Sequence, residues 1–162
     1  MRRRIPHLLA EILWVSISSG LAFAQLQEPL PKLNYDMIPD FQLPPEEHLV
    51  EPAGVAVNSK GHIYVFHRGN HPVMEFDSSG KFVRSIADNL FVTPHMVLVD
   101  PEDNIWTTDI GSHVVLKLSP EGRVLLALGR MRIAGDDVLH FNQPDVAWER
   151  DDNIYVTDGY GN

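Results

Sequence analysis

The chain contains no cysteine. No disulfide can staple it, and no thiolate is available as a nucleophile or metal ligand. Any metal site must use histidine, carboxylates or backbone oxygen. Basic residues are scarce too: 13 Lys and Arg stand against 22 Asp and Glu, for a formal net charge of −9. Three of those cations, Arg2, Arg3 and Arg4, lie at the N-terminus. Without residues 1–24 the count is 10 basic against 21 acidic, a net charge of −11. Such a chain does not neutralise phosphates, which argues against nucleic acid as a partner and against a basic patch for anionic lipid. Helical periodicity is also missing. After residue 24 no stretch of useful length repeats its apolar residues at helical spacing.

Long apolar runs are absent except at the start. Ile12 to Ala24 is mostly apolar and too short to span a bilayer comfortably. It follows the three arginines, with Glu11 at the boundary, and ends in "AFA" before Gln25, a small-x-small cleavage pattern. Residues 1–24 are therefore expected to be a signal peptide of a secreted or periplasmic protein, with no stable membrane span after cleavage. The alternative is an uncleaved anchor. Residues 25–52 hold Pro29, Pro31, Pro39, Pro44, Pro45 and Pro52, which disfavours helix. They are expected to form an extended lead-in on the domain edge.

From Val55 the chain repeats itself. "VAVNSKGHIYVFHRGNH" from Val55, "VLVDPEDNIWTTDIGSH" from Val97 and "VAWERDDNIYVTDGYGN" from Val146 align without a gap. Each begins with a short apolar strand, passes a polar turn and enters an "IY" or "IW" strand. The first two copies continue into "VMEF" or "VVLKL", a "SSGK" or "PEGR" hairpin, and a fourth strand, "FVRSI" or "VLLAL". The starts lie 42 and 49 residues apart. Four short antiparallel strands in such a period are the pattern of a β-propeller blade. The expected fold is all-β: an incomplete β-propeller over 53–162, with blades near 53–90, 94–130 and 143–162. A β-sandwich of hairpins is the alternative. Two and a half blades do not close a ring of roughly four to eight. The chain is thus expected to be a fragment of a larger propeller, with an open blade edge available to a partner.

The copies also serve as references for one another. The second strand ends in Thr108-Asp109 and Thr157-Asp158 in copies two and three, but in Phe66-His67 in copy one, followed by Arg68. Tyr160 stands where the others have Gly69 and Gly111. Two residues before the aligned valine the copies have Ala53, His95 and Pro144. The start of strand one and the end of strand two share a rim, so Arg68, His95 and Tyr160 are expected to converge on the channel mouth. Each has a plainer reading. Arg68 could pair with an acid on a neighbouring loop, Tyr160 could be an apolar body with a wet hydroxyl, and a lone histidine is usually not a ligand. His71 and His113 recur in register, which suggests a hydrogen bond within the blade. His48 and His62 have no partner at ligand spacing and read as surface residues; His140 reads as structural.

"GVAVNSKGHIYV…GNHPVMEFDSSGKFV" resembles the NHL-repeat propellers. More narrowly, "GVAVNSKGHIYVFHRGNH", "LFVTPHMVLVDPEDNIWTTDIGSHVVLKL", "LALGR", "HFNQPDVAWE" and "VTDGYGN", in order over 54–162, resemble peptidyl-α-hydroxyglycine α-amidating lyase. The resemblance implies a six-bladed propeller with zinc in its channel and a structural calcium. It implies that His95 is the first of three zinc histidines, that Arg68 faces the substrate carboxylate, and that Tyr160 acts as base. It also implies that the carbonyls of Val55 and Val97 bind calcium. The other zinc histidines, a further arginine and the acidic calcium ligand belong to later blades. Asn142 and Gly161 replace a cysteine pair of the family. The implied substrate is a small peptide-like or acyl-hydroxyglycine carbinolamide, cleaved to an amide and glyoxylate with zinc as Lewis acid. With one of three histidines, the chain alone is expected to be inactive. Two other functions stay open: a non-enzymatic NHL-repeat propeller binding peptide or protein partners, and a propeller lactonase or other metal-assisted lyase. Few Asp, Glu or Asn residues fall at the channel mouth to build the latter.

Overall fold

The computed structural model describes residues 32–34, 41–148 and 153–159. The chain divides into two compact units, Met1–Ile38 and Pro39–Asn162. Residues 1–24, expected to be a signal peptide, residues 25–31 and 35–40 of the proline-rich lead-in, and Tyr160 lie outside the described residues. All ten described strands belong to the second unit, and no helix occurs among the described residues.

Strands β1 (Pro52–Val57), β2 (Ile63–His67), β3 (Val73–Phe76) and β4 (Phe82–Ile86) form one antiparallel sheet in sequence order. Strands β5 (Pro94–Val99), β6 (Ile105–Asp109), β7 (Val114–Leu118) and β8 (Val124–Leu128) form a second. Strands β9 (Pro144–Trp148) and β10 (Ile154–Asp158) pair as a third. This is the expected all-β architecture of an incomplete propeller, with no closed barrel. The sheets match down to their irregularities: the third and fourth strands shift register at Glu75/Phe76 in one and Lys117/Leu118 in the other. The segment 129–143 accounts for the longer second spacing. It crosses to β9 with bridges Arg130–Ile133 and Ala134–Phe141.

The turns explain why so polar a sequence makes such regular sheets. Asn58 Oδ1 accepts the N–H groups of Lys60 and His62, and Asp100 Oδ1 those of Glu102 and Asn104. These side chains stand in for backbone acceptors and close the hairpin locally. The next turn uses Asp77 in the first sheet and Ser119 in the second in the same way. Gly80 and Gly122, with φ of 83° and 86°, supply the left-handed residue each hairpin needs.

Alternation then decides which way each buried side chain faces. Tyr64, Phe66, Val73 and Ile86 pack against Val97, Ile105, Leu116 and Leu118 in the seam between the first two blades. Phe91 closes that seam with its ring 4.8 Å from Phe66, edge-on. Trp106 and Val115 turn the other way and meet Ile154 and Val156 of the third sheet. On the far side of blade one, Val65, Met74 and Phe76 are covered by Leu43 and Leu49 of the lead-in. Gln42 accepts a bond from Phe82 N and donates to Gly80 O, capping the outer edge of β4. Residues 41–50 of the lead-in therefore pack on blade one.

Polar groups tie the blades across the seam. Glu75 is buried and held by Arg84 at 2.6 Å and His62 at 2.7 Å. Arg84 also donates to the Pro120 carbonyl of blade two. His62 is thus half-buried and partnered, not the free surface residue expected, because it lies just before β2, within 2.7 Å of a buried acid on the neighbouring β3. Asp100 accepts from Trp106 Nε1 and lies 2.9 Å from Lys117 Nζ. Burial pushes its pKa up, but these partners and Asn104 outweigh it, so its carboxyl sits below the usual range.

Truncating Phe66 to alanine is expected to cost about 3–5 kcal/mol, because it empties the middle of the first seam. Val83→Ala, on the exposed side of β4, should change stability by no more than about 0.5 kcal/mol. Urea denaturation of both variants checks this; equal losses would mean the seam is not the core.

Candidate active site

The site is built from the ends of the second strands. Asp109 closes β6 and is 1% exposed. Its carboxylate accepts the N–H groups of Val92 at 2.5 Å, Thr93 at 2.8 Å, Gly111 at 2.9 Å and Ser112 at 3.0 Å. Two of these donors lead into β5 and two follow β6. One buried anion therefore fastens the loop between blades to the loop after its own strand. Asp158 repeats the arrangement by accepting Asn142 N at 2.6 Å.

In blade one the acceptor is His67, fully buried. Its Nδ1 accepts Val50 N at 3.2 Å and Gly69 N at 3.1 Å. An accepting Nδ1 carries no proton, so the proton sits on Nε2. That atom is buried without a hydrogen-bond partner among the described residues. Burial pushes the His67 pKa below the ordinary histidine value, against an opposing pull from the backbone of His71 and Val50. A side chain at Gly69 would collide with this ring, its Cβ only 2.6 Å from Cε1.

These clamps fix the backbone on both sides of His95. Asp109 holds Val92 and Thr93 ahead of it. The ladder between β5 and β6 is bulged between Pro94 and Met96, with His95 the unpaired residue. The displaced amide of Met96 donates to Thr108 Oγ1 at 3.1 Å. A bulge redirects one side chain without ending the strand. Blade one has the same bulge at Ala53, whereas β9 pairs with β10 in continuous register. Pro52, Pro94 and Pro144 each sit opposite the clamp residue. The structural equivalent of Pro144 is therefore Pro94, and the gapless alignment, which set Pro144 beside His95, is off by one residue there.

Arg68 reaches this point from blade one. Its Nε donates to the Pro94 carbonyl at 3.3 Å, and its Nη1 lies 3.0 Å from Glu51 Oε2. The side chain thus pairs with an acid on the preceding loop and also touches the residue next to His95. Tyr160 lies outside the described residues. Gly159 N donates to Gln143 O at the start of blade three. Val55 and Val97 stand on neighbouring inner strands: a Cβ on Gly54 would lie 3.0 Å from Val97 N. The Val55 side chain is 64% exposed, and that of Val97 is buried.

The other histidines are structural. His71 bonds Asp88 at 2.9 Å, which raises its pKa, and approaches Glu47 at 3.5 Å. His113 accepts Gln143 N, so its bond crosses to the next blade and is not within its own, as expected from the repeat. His140 pairs with Asp137. Among the described residues no three His, Asp or Glu side chains gather as a metal site. Sequence reading missed Thr108 and Asp109 as positioning residues. Their signal was the repeated "TD", passed over because it was the rule and not the exception.

Two predictions follow from the clamps. Asp109→Asn leaves four amides with one acceptor oxygen and an opposing NH₂, and should cost about 2–3 kcal/mol. Urea denaturation should show that loss, and hydrogen exchange should speed first at Val92 and Thr93. His67 behaves oppositely to an ion-paired histidine. Its folded pKa is depressed, so its contribution is complete above the ordinary value near 6.5 and is lost as pH falls through the folded value. Protection factors of Val50 and Gly69 should fall on mild acidification while those of Val92 hold; unchanged protection at Val50 would refute the clamp.

No known family profile matches the chain. Individual proteins do. Peptidylglycine alpha-amidating monooxygenase of Rattus norvegicus is 35% identical over 139 residues, covering 68% of this chain and 14% of the rat protein. The Drosophila melanogaster peptidyl-alpha-hydroxyglycine alpha-amidating lyase 1 is 35% identical over 88 residues, covering 52% of this chain and 16% of its own length. A Caenorhabditis elegans protein described as "Probable peptidyl-alpha-hydroxyglycine alpha-amidating lyase pgal-1" is 29% identical over 143 residues, covering 73% of this chain and 41% of its own. The chain spans less than half the length of these curated relatives. Among solved structures, a streptogramin B lyase superposes with a TM-score of 0.57 at 16% identity, covering 74% of this chain and 37% of the other. A Xanthomonas campestris gluconolactonase gives 0.52 at 17%, covering 70% and 36%. At these identities the structural likeness speaks for the fold alone. Sequence and fold together show a chain related to the peptidyl-alpha-hydroxyglycine alpha-amidating lyases, its described residues forming part of a β-propeller.

Proposed function

We propose that this chain is the N-terminal part of a lyase that cleaves a peptidyl-α-hydroxyglycine, R–CO–NH–CH(OH)–COO⁻, to the amide R–CO–NH₂ and glyoxylate. The observation that carries the reading is the 35% identity to an amidating enzyme over 68% of this chain, beside the contact of Arg68 with the Pro94 carbonyl next to His95. In this reading Arg68 binds the substrate carboxylate with charge-assisted hydrogen bonds. Tyr160 takes the proton of the carbinol hydroxyl. The oxygen lone pair forms the new C=O, the C–N bond breaks, and the amide nitrogen gains a proton. No water is consumed.

His95 is proposed as one zinc ligand, and the Val55 and Val97 carbonyls as calcium ligands. The described residues do not by themselves fit a zinc site: they offer one histidine at the mouth, and a catalytic zinc usually has three protein ligands. The proposal therefore places the remaining ligands in further blades. The N-terminal segment is proposed to export the protein, with cleavage after Ala24; N-terminal sequencing of the secreted product should begin at Gln25.

The test is glyoxylate release from an N-acyl-α-hydroxyglycine. These 162 residues alone, with zinc added, are expected to give none. A version continued through the later blades should be active, and Arg68→Ala in it should lower kcat/KM by roughly 100-fold, the scale of losing one charge-stabilising donor. Robust release from the 162-residue chain, or activity indifferent to Arg68, would overturn the reading.

A further inference from the structure

Glu51 immediately precedes β1, with φ at 44°, a left-handed conformation that favours glycine. Its side chain is 68% exposed, yet its carboxylate lies on Arg68 Nη1 at 3.0 Å. A guanidinium offers a carboxylate two forks: a side-on pair using Nε with Nη2, and an end-on pair using Nη1 with Nη2. Pro94 O holds Nε, so the side-on fork is compromised. Glu51 holds Nη1, so the end-on fork is compromised too. Nη2 has no partner among the described residues. The carbonyl belongs to a strand and is fixed by its ladder. The glutamate stands on a loop, mostly in solvent, and is the partner able to leave.

We infer that Glu51 is an exchangeable placeholder for a ligand carboxylate at Arg68. It balances the guanidinium in the free protein, and it leaves Nη1 when an acylglycine-type carboxylate takes the end-on fork. The inference rests on the proposed role of Arg68 and adds to it a competing carboxylate that tempers the affinity for anionic ligands without affecting neutral ones. Pro94 keeps the guanidinium aimed throughout, because its bond to Nε is not the one exchanged.

The experiment is calorimetric titration of the full chain with N-benzoylglycine, which resembles the substrate class but lacks the reacting hydroxyl, and with its primary amide. Glu51→Gln should bind the carboxylate about fivefold more tightly than the unmodified protein, the scale of one partly exposed ion pair. Binding of the amide should not change. A merely structural role would move both ligands or neither. Glu51→Gly, which suits the backbone there, should repeat the result and guards against a folding defect in the first variant. Equal or weaker carboxylate binding in both variants, or a parallel change for the amide, would overturn the placeholder. Arg68→Gln separates the two levels. If it binds the carboxylate as well as the unmodified protein does, the role of Arg68 itself fails. If it loses binding while the Glu51 variants show no gain, only the placeholder fails.

Discussion

One side-chain acceptor per blade, at the end of its second strand, holds the main chain where it enters the first. Asp109 makes the case most fully, with four backbone amides on one carboxylate. An amide buried without a partner costs more than an average hydrogen bond contributes. The loops between sheets have no ladder to satisfy them, so their amides converge on a side chain instead. That single demand explains the recurring aspartate, Gly111 two residues after Asp109, and the rigid path into β5. Gly111 fits because a Cβ there would lie 2.7 Å from Val92 Cγ1. The rim that carries Arg68 and His95 is therefore rigid for structural reasons before any chemistry is asked of it.

Blade one meets the same demand with a different group. His67 offers one neutral acceptor where aspartate offers two charged oxygens, and it receives two amides instead of four. A neutral ring is cheaper to bury than an anion, and burial pushes the His67 pKa below the ordinary histidine value, so it stays an acceptor at neutral pH. The amide it holds, Val50, joins the lead-in to the end of β2, and Arg68 N donates to the Val50 carbonyl. The uncharged clamp is thus the one that anchors the segment covering blade one. Asp100 shows the contrasting solution. There a buried carboxylate is charge-matched by Lys117 and hydrogen-bonded by Trp106 and Asn104, and its ionised form is favoured despite burial.

The fold was legible because its signals are local. Asn58, Asp77, Asp100 and Ser119 write the turns into the sequence, and alternation on "IYVF" and "IWTT" writes the buried faces. The repeat then supplied strand order without knowledge of any contact. The site was legible only in part. Arg68 could be singled out because it breaks the repeat, and its Nε donates to the carbonyl of the residue before His95. Thr108 and Asp109 were invisible by the same logic, since a comparison among copies highlights exceptions and these residues are the norm. The bulge at His95 was hidden for another reason. One extra residue in a strand leaves the flanking pattern intact on either side, so only hydrogen-bond register reveals that Pro144 corresponds to Pro94. The partners of His62 and His113 were likewise out of reach, because Glu75 lies across a strand pair and Gln143 in the next blade.

That bulge connects scaffold to site. A residue in regular register on β5 would point either into the seam with blade one or toward blade three. Both directions are filled, by Val97 on one side and by Met96 and Leu98 on the other. The extra residue takes His95 out of the ladder while Pro94 and Val97 stay paired with Asp109 and Thr107. The insertion exposes one amide, Met96 N, and Thr108 accepts it. Blade one carries the same insertion with alanine in it, and Phe66 there has no hydroxyl to offer. The bulge therefore belongs to the blade design, and what distinguishes blade two is the histidine placed on it with the threonine that completes its support. Arg68 enters from the neighbouring blade through the carbonyl of the residue just before the bulge. Two side chains from different blades are in this way referenced to one peptide unit, and their spacing is set by backbone geometry, not by the reach of flexible side chains.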